Sequence, residues 1–128
     1  MTTHDSTHAI PGVDDIVRVE LDNGLVVLTR PNFTSPAVVV TGMLRGGAIL
    51  EPLEKAGLAS FHSTMLMRGT TRHTFDELYE EIEGNGASLG FSATGHTLSF
   101  GSKSLAEDLP RMLALTVEVL REPTFPEP

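Results

Sequence analysis

Two hydrophobic periods run through the chain, and the places where one gives way to the other mark out its elements. Val17, Val19 and Leu21 alternate with Arg18, Glu20 and Asp22, which puts the apolar set on one face of a strand. Asn23-Gly24 follows, a pair that favours the left-handed backbone of a tight hairpin turn, and Leu25 to Leu28 return as a second strand. Pro31 and Asn32 close it. After Pro36, the run from Ala37 to Leu44 is β-branched and apolar at both parities, the pattern of a central strand covered on both sides. Gly46-Gly47 ends that run, and Glu51-Pro52 marks a surface loop. The two glycines lack the rest of a phosphate-binding loop and are read as turn geometry.

The period changes to that of a helix near Gly57. Leu58, Phe61 and Met65 form one apolar line, with Ala59, His62 and Leu66 beside it, and Arg68-Gly69-Thr70 ends the helix. Thr74 and Glu77 have the spacing of a capping box. Behind it Phe75, Leu78, Tyr79 and Ile82 supply a buried stripe that Gly84-Asn85-Gly86 terminates. Ala87, Leu89, Phe91 and Ala93 alternate with Ser88, Gly90, Ser92 and Thr94, and a turn at Gly95 leads into Thr97 to Ser102 as a hairpin. Ser104 and Glu107 propose a second capping box. The last helix is expected to face inward with Leu109, Met112, Leu113, Thr116, Val117 and Leu120 and outward with Glu118 and Arg121. Pro110 is tolerable there only in the first turn. The order β-β-β-α-α-β-β-α predicts an α+β fold, with an antiparallel or mixed sheet packed with helices.

Composition narrows the setting. A chain of 128 residues forms one small domain; residues 1–15 are expected as a flexible tail and 16–128 as a partial domain. The net charge of -8, from 17 acidic and 9 basic side chains, argues against nucleic acid or an anionic membrane as partner. Arg68, Arg72 and His73 are expected as a solvated rim beside a turn. The absence of cysteine excludes disulfides and thiolate metal sites within the chain. The amino terminus lacks a secretory signal, and no run approaches the roughly 18 apolar residues of a membrane span; the expected location is the cytoplasm. His4 and His8 belong to the polar tail.

The segment Gly57 to Thr70, GLASFHSTMLMRGT, resembles the zinc helix of the insulinase, pitrilysin and mitochondrial processing peptidase family, whose usual text is G-x-A-H-F-L-E-H-M-L-F-K-G-T. Gly57, Ala59, Phe61, Met65, Leu66, Gly69 and Thr70 match it, and Arg68 keeps the charge of the usual lysine. The likeness extends over about residues 16 to 128: Leu21 to Leu25 resemble the family's first strand and turn, and Gly47, Glu51 and Gly57 have the spacing of its loop before the helix. Thr74 to Phe100 resemble its next helix and hairpin, and Leu120 to Pro126 the segment that follows.

The resemblance implies a site made of two histidines on one helix face, with a glutamate just before the second as the base that activates water. Here Ser60 replaces the first histidine, Ser63 the glutamate and Thr64 the second histidine. Neutral hydroxyls are poor zinc donors, and Ser63 cannot be a useful base without a partner that activates it. His62 lies about 200° around the helix from Ser60 and Thr64, and so does not replace them; it is expected in packing. His73 and His96 sit in separate turns and are expected at the surface. The family's third ligand, a distant glutamate, falls past Pro128 by its spacing, so the chain is expected to be an amino-terminal fragment. Neither Ser60 nor Ser63 lies in a nucleophile elbow.

The expected function is therefore that of a non-catalytic subunit or half of a zinc metallopeptidase complex. No metal or cofactor is expected in this chain; the zinc would be held by a catalytic partner of the same family, and an extended peptide would be bound through a strand edge. The alternatives are an active zinc endopeptidase with ligands outside this chain, and a structural or protein-binding module.

Overall fold

A computed structural model describes residues 12–126. The expected tail, with His4 and His8, lies almost wholly outside the described residues; at its end Val13–Asp15 form a short 3-10 turn. The chain divides into two compact units between Ser35 and Pro36.

The first unit is the hairpin of β1 (Val17–Glu20) and β2 (Val26–Thr29), paired antiparallel with Val17 opposite Thr29 and Glu20 opposite Val26. Its turn is wider than Asn-Gly alone implies. Leu21 N–H donates to the Leu25 carbonyl at 2.9 Å and Gly24 N–H to that of Leu21 at 2.8 Å. Only Gly24, at φ +83°, is left-handed. The Asn23 side chain instead accepts from Leu25 N–H at 3.0 Å, so the connection is a three-residue loop closed by glycine.

The second unit contains β3 (Ala37–Arg45), α1 (Leu58–Met65), α2 (Phe75–Gly84), β4 (Ser88–Ala93), β5 (Thr97–Leu105) and α3 (Leu109–Arg121). The predicted order of elements holds, with short 3-10 turns added at Ala48–Leu50, Leu53–Lys55 and Leu66–Arg68. The sheet is antiparallel in the order β3-β5-β4. This corrects the placing of β3 at the centre: β5 is central, and Val39 and Met43 on β3 are 66% and 77% exposed. An apolar, β-branched run reports a preference for extended backbone and does not report how many neighbours the strand has.

One sheet face meets the helices. Phe91 and Phe100 stand opposite each other across β4 and β5, with ring centroids 6.3 Å apart. Gly42 faces Phe100 from β3, where any side chain would meet the ring. The core itself joins Leu66 and Met67 after α1, Leu78 and Ile82 of α2, and Met112, Leu115 and Val119 of α3, with Leu89, Phe91 and Leu98 of the sheet packed against it.

Two helices are turned relative to expectation. In α3 the buried residues are Met112, Leu115, Thr116, Glu118 and Val119, while Leu113 and Val117 are exposed. Both sets fit a helical stripe, and periodicity alone does not choose between them. In α1 the expected line of Leu58 and Phe61 is exposed and Ser63 is buried; this helix packs mainly on β4. The second capping box does not form. Ser104 belongs to β5, where its hydroxyl donates to the Leu105 carbonyl, and α3 starts after Asp108 with Pro110 in its first turn. The box at Thr74 and Glu77 does form, with Thr74 N–H donating to the Glu77 carboxylate at 2.8 Å.

The loop before α1 is fastened to the β4–β5 turn. Gly46 N–H donates to His96 O, Ala48 N–H to Thr94 O and Ile49 N–H to Gly95 O, at 3.0, 3.0 and 2.8 Å. Gly47 permits this approach: its φ is +94° and a Cβ there would strike the Thr94 carbonyl. Gly47→Ala is accordingly expected to lower unfolding stability by about 1–3 kcal/mol. Gly46→Ala, with open space at its Cβ, should be close to neutral; urea denaturation of both variants checks the contrast.

Candidate functional site

The site develops from α1 and the turn that follows it. Gly57 precedes the helix in the left-handed conformation and supplies no side-chain cap. Glu51 does so from across the loop, its carboxylate accepting from Gly57 N–H at 2.8 Å and Ala59 N–H at 2.6 Å. A carboxylate at this position answers amides that have no helical partner and suits the positive end of the helix dipole. The capping role is visible only once the loop is folded, because Glu51 stands six positions before Gly57.

Along α1, Ser60 and Thr64 are exposed and Ser63 is buried. The Ser63 hydroxyl donates to the Ser60 carbonyl at 2.8 Å, and the Thr64 hydroxyl to the Phe61 carbonyl at 2.7 Å. Both are thus engaged with the helix's own backbone, a common arrangement for Ser and Thr inside helices. His62 is exposed, with its ring centroid 5.5 Å from that of Phe125, a packing contact. Among the described residues no group of three or more His, Cys, Asp or Glu side chains is placed to hold a metal ion.

Beyond α1 the chain enters a turn that the structure ties down closely. Thr70 N–H donates to the His73 carbonyl at 2.8 Å, Thr71 N–H to Glu122 O at 3.0 Å, and Thr124 N–H to Gly69 O at 2.9 Å. The Thr70 hydroxyl donates to Glu118 Oε1 at 2.5 Å and accepts the amides of Arg72 and His73 at 3.1 and 2.9 Å. His73 Nδ1 lies 2.7 Å from the same Glu118 oxygen, and its Nε2 lies 3.5 Å from Glu81 Oε2. Arg111 in turn holds Glu81 with two guanidinium nitrogens.

This network corrects two expectations. Glu118 points inward, its side chain only 8% exposed, and His73 is largely buried, its side chain 21% exposed. The Glu118 carboxylate tolerates burial because hydroxyl and imidazole donors converge on it. Arg72 is the rim residue expected, exposed and paired with Glu122 at 3.1 Å. Arg68 lies over the Phe75 ring at 5.2 Å. His96 is exposed in the β4–β5 turn, separate from the His73 network. The sequence pattern did not mark this network: the stripe read from periodicity leaves Glu118 on the outward face, and only the observed rotation of α3 brings it inward.

The family model for insulinase, peptidase family M16, matches residues 26–128. The chain belongs to that family. Among its relatives, a probable mitochondrial-processing peptidase subunit beta from Arabidopsis thaliana is 30% identical over 107 residues, covering 84% of this chain and 20% of the relative. An uncharacterized zinc protease from Rickettsia felis is 27% identical over 109 residues, 84% of this chain and 26% of the relative. Subunit 1 of the cytochrome b-c1 complex from Rattus norvegicus is 27% identical over 101 residues, 79% of this chain and 21% of the relative. The chain thus spans about a fifth to a quarter of the length of these relatives.

Membership in a family of zinc metallopeptidases poses the question of fit. The donors on α1 do not fit a zinc ion: two of the three hydroxyls at Ser60, Ser63 and Thr64 are bonded to main-chain carbonyls, and none is an imidazole or carboxylate.

The chemistry that the site does support is structural and depends on pH. Burial pushes the Glu118 carboxyl upward, but hydrogen bonds from Thr70 and His73, with the charges of His73 and Arg72, bring it below the usual glutamate range. A carboxyl held low in the folded chain contributes stability that is present above its unfolded pKa and is lost as pH falls through the folded one. Glu118→Gln is expected to cost about 1–3 kcal/mol at neutral pH and to flatten the fall in stability on the acid side. Denaturation curves from neutral pH down through the carboxylate range measure both effects.

Proposed function

We propose that the protein is a non-catalytic member of the insulinase family, acting as one subunit or half of a peptidase complex whose zinc belongs to a catalytic partner. The donor set of α1 carries this reading: Ser60, Ser63 and Thr64 stand where the family pattern has two histidines and a glutamate, and they supply neither ligands nor a base. The names of two relatives are consistent with shared work, since one is a processing peptidase subunit and another a subunit of the cytochrome b-c1 complex.

The contribution of this chain to such a complex would be to hold an extended peptide. β4 pairs with β5 on one side and is the strand on which α1 packs. Its other edge is an outer edge of the described sheet. A peptide adding to that edge takes its affinity from main-chain hydrogen bonds and so tolerates varied sequence. Ser88, Gly90 and Ser92 alternate along β4 as exposed, small residues, leaving room for side chains of the added strand.

The deciding experiment purifies the full-length protein alone and together with a family member that carries the intact two-histidine and glutamate motif, then measures bound zinc and peptide cleavage. Zinc and cleavage are expected only with the partner present. Stoichiometric zinc and turnover by the protein alone would sink the proposal. Placing His at 60 and 64 and Glu at 63 together (Ser60→His, Ser63→Glu, Thr64→His) should raise zinc affinity in the full-length protein but little in residues 1–128. Tight one-to-one zinc binding by the repaired 128-residue chain would show that the third ligand has been wrongly placed outside it.

A further inference from the structure

We propose that Asn23 is a site of spontaneous covalent modification: in the folded chain its side-chain amide closes with the Gly24 nitrogen to a succinimide, which water opens to aspartate and isoaspartate. The sequence holds such a pair twice, at Asn23-Gly24 and at Asn85-Gly86. The two are alike in local chemistry, because glycine leaves its own amide unshielded by any side chain. The fold sets them apart.

Asn23 is exposed in the β1–β2 loop, between Leu21 and Leu25, which are 45% and 55% exposed. Its side chain is held through oxygen, with Leu25 N–H donating to Oδ1 at 3.0 Å. That donor draws electron density from Cγ, the carbon to be attacked. Gly24 N–H donates to the Leu21 carbonyl at 2.8 Å, and this bond must open to free the nucleophile. Opening it disturbs a hairpin whose two short strands are exposed throughout, an arrangement of marginal stability by itself. Such segments open locally at small free-energy cost.

Asn85 follows α2 and is held through nitrogen, Nδ2 donating to the Glu81 carbonyl at 2.8 Å. The group that has to leave is therefore fastened to the helix. Gly86 N–H donates to Glu83 O at 2.9 Å and Ala87 N–H to Ile82 O at 3.0 Å. Ile82 is a core residue, so swinging the Gly86 nitrogen onto the side chain unwinds a helix end that the core holds. Local opening costs more here.

The reaction needs water alone as co-reactant. The Gly24 nitrogen gives up its proton to hydroxide and attacks Asn23 Cγ, the bond from Cγ to Nδ2 breaks, and that nitrogen leaves as ammonia. Water then adds to one of the two ring carbonyls. Opening at Cγ gives aspartate; opening at the main-chain carbonyl gives isoaspartate, whose backbone runs through the former side chain. One water is consumed, one ammonia is released, and one carboxylate is added to a chain of formal charge -8. Isoaspartate also lengthens the connection between Glu20 and Val26, which stand opposite each other at the end of the hairpin.

Full-length protein incubated folded in mildly alkaline buffer made with heavy-oxygen water, then digested in ordinary water and read by mass spectrometry, tests the site. Chromatography separates aspartate from isoaspartate. Label is expected at position 23 at least about tenfold faster than at position 85. The same incubation of protein unfolded in urea should bring the two rates close together, because the sequence context is then all that remains. A preference for position 23 that is present in the folded protein and lost in urea supports the proposal. No label at position 23 in the folded protein, no preference over position 85, or an equal preference in urea overturns it.

Discussion

A carboxylate taken out of water must find donors, and Glu118 on α3 finds them in one short turn. Desolvating such a group costs several kcal/mol unless hydrogen bonds replace the lost water. The replacements here are the Thr70 hydroxyl and the His73 imidazole, both directed at the same oxygen. That demand fixes the turn's shape, because Thr70 reaches Glu118 only while its own hydroxyl also receives the amides of Arg72 and His73. Immediately before Thr70 lie Leu66 and Met67, which are core residues, so pinning the turn also pins the end of the segment that α1 begins. The start of α2 is set by the same stretch, through the bridge between Gly69 and Thr74.

The parts of this arrangement that a reader of the sequence can see are those governed by local chemistry. Thr74 and Glu77 cap α2 because three residues of backbone bring them together whatever the rest of the chain does. The two hairpins and the order of elements follow from alternation and turn residues in the same way. Where two local patterns coexist, tertiary contact decides. On α3 the stripe through Leu113 and Val117 is as regular as the one through Met112, Leu115 and Val119, and only the second faces the core. On α1 the large side chains of Leu58 and Phe61 suggest the inner face, yet they are exposed and small Ser63 is the buried one. The edge position of β3 is beyond periodicity altogether, because pairing partners are a property of the folded chain.

The candidate site was legible in a different sense. Ser60, Ser63 and Thr64 were picked out by likeness to a family pattern, and the family itself is secured by a match over residues 26–128. What likeness did not reveal is how the surrounding side chains hold this helix. Glu51 and Glu118 act across the fold, one on a helix start six residues away and the other on a turn 48 residues away. No spacing rule links such pairs; a long-range contact becomes visible only as geometry.

These two acidic residues bear on how the helix at the family's ligand positions is held in place by the chain itself. A metal ion often supplies folding free energy, and removing its ligands then unfolds the site. In this chain α1 has supports that involve no metal: its first amides are answered by Glu51, its far end runs into the core through Leu66 and Met67, and the next turn is fastened to Glu118. Ser63 and Thr64 satisfy their hydroxyls on the helix's own carbonyls, and no buried side-chain nitrogen or oxygen among the described residues is left without a partner. The helix is thus physically separable from the chemistry its family performs on it. The capped, pinned α1 keeps its place in the fold without a ligand set.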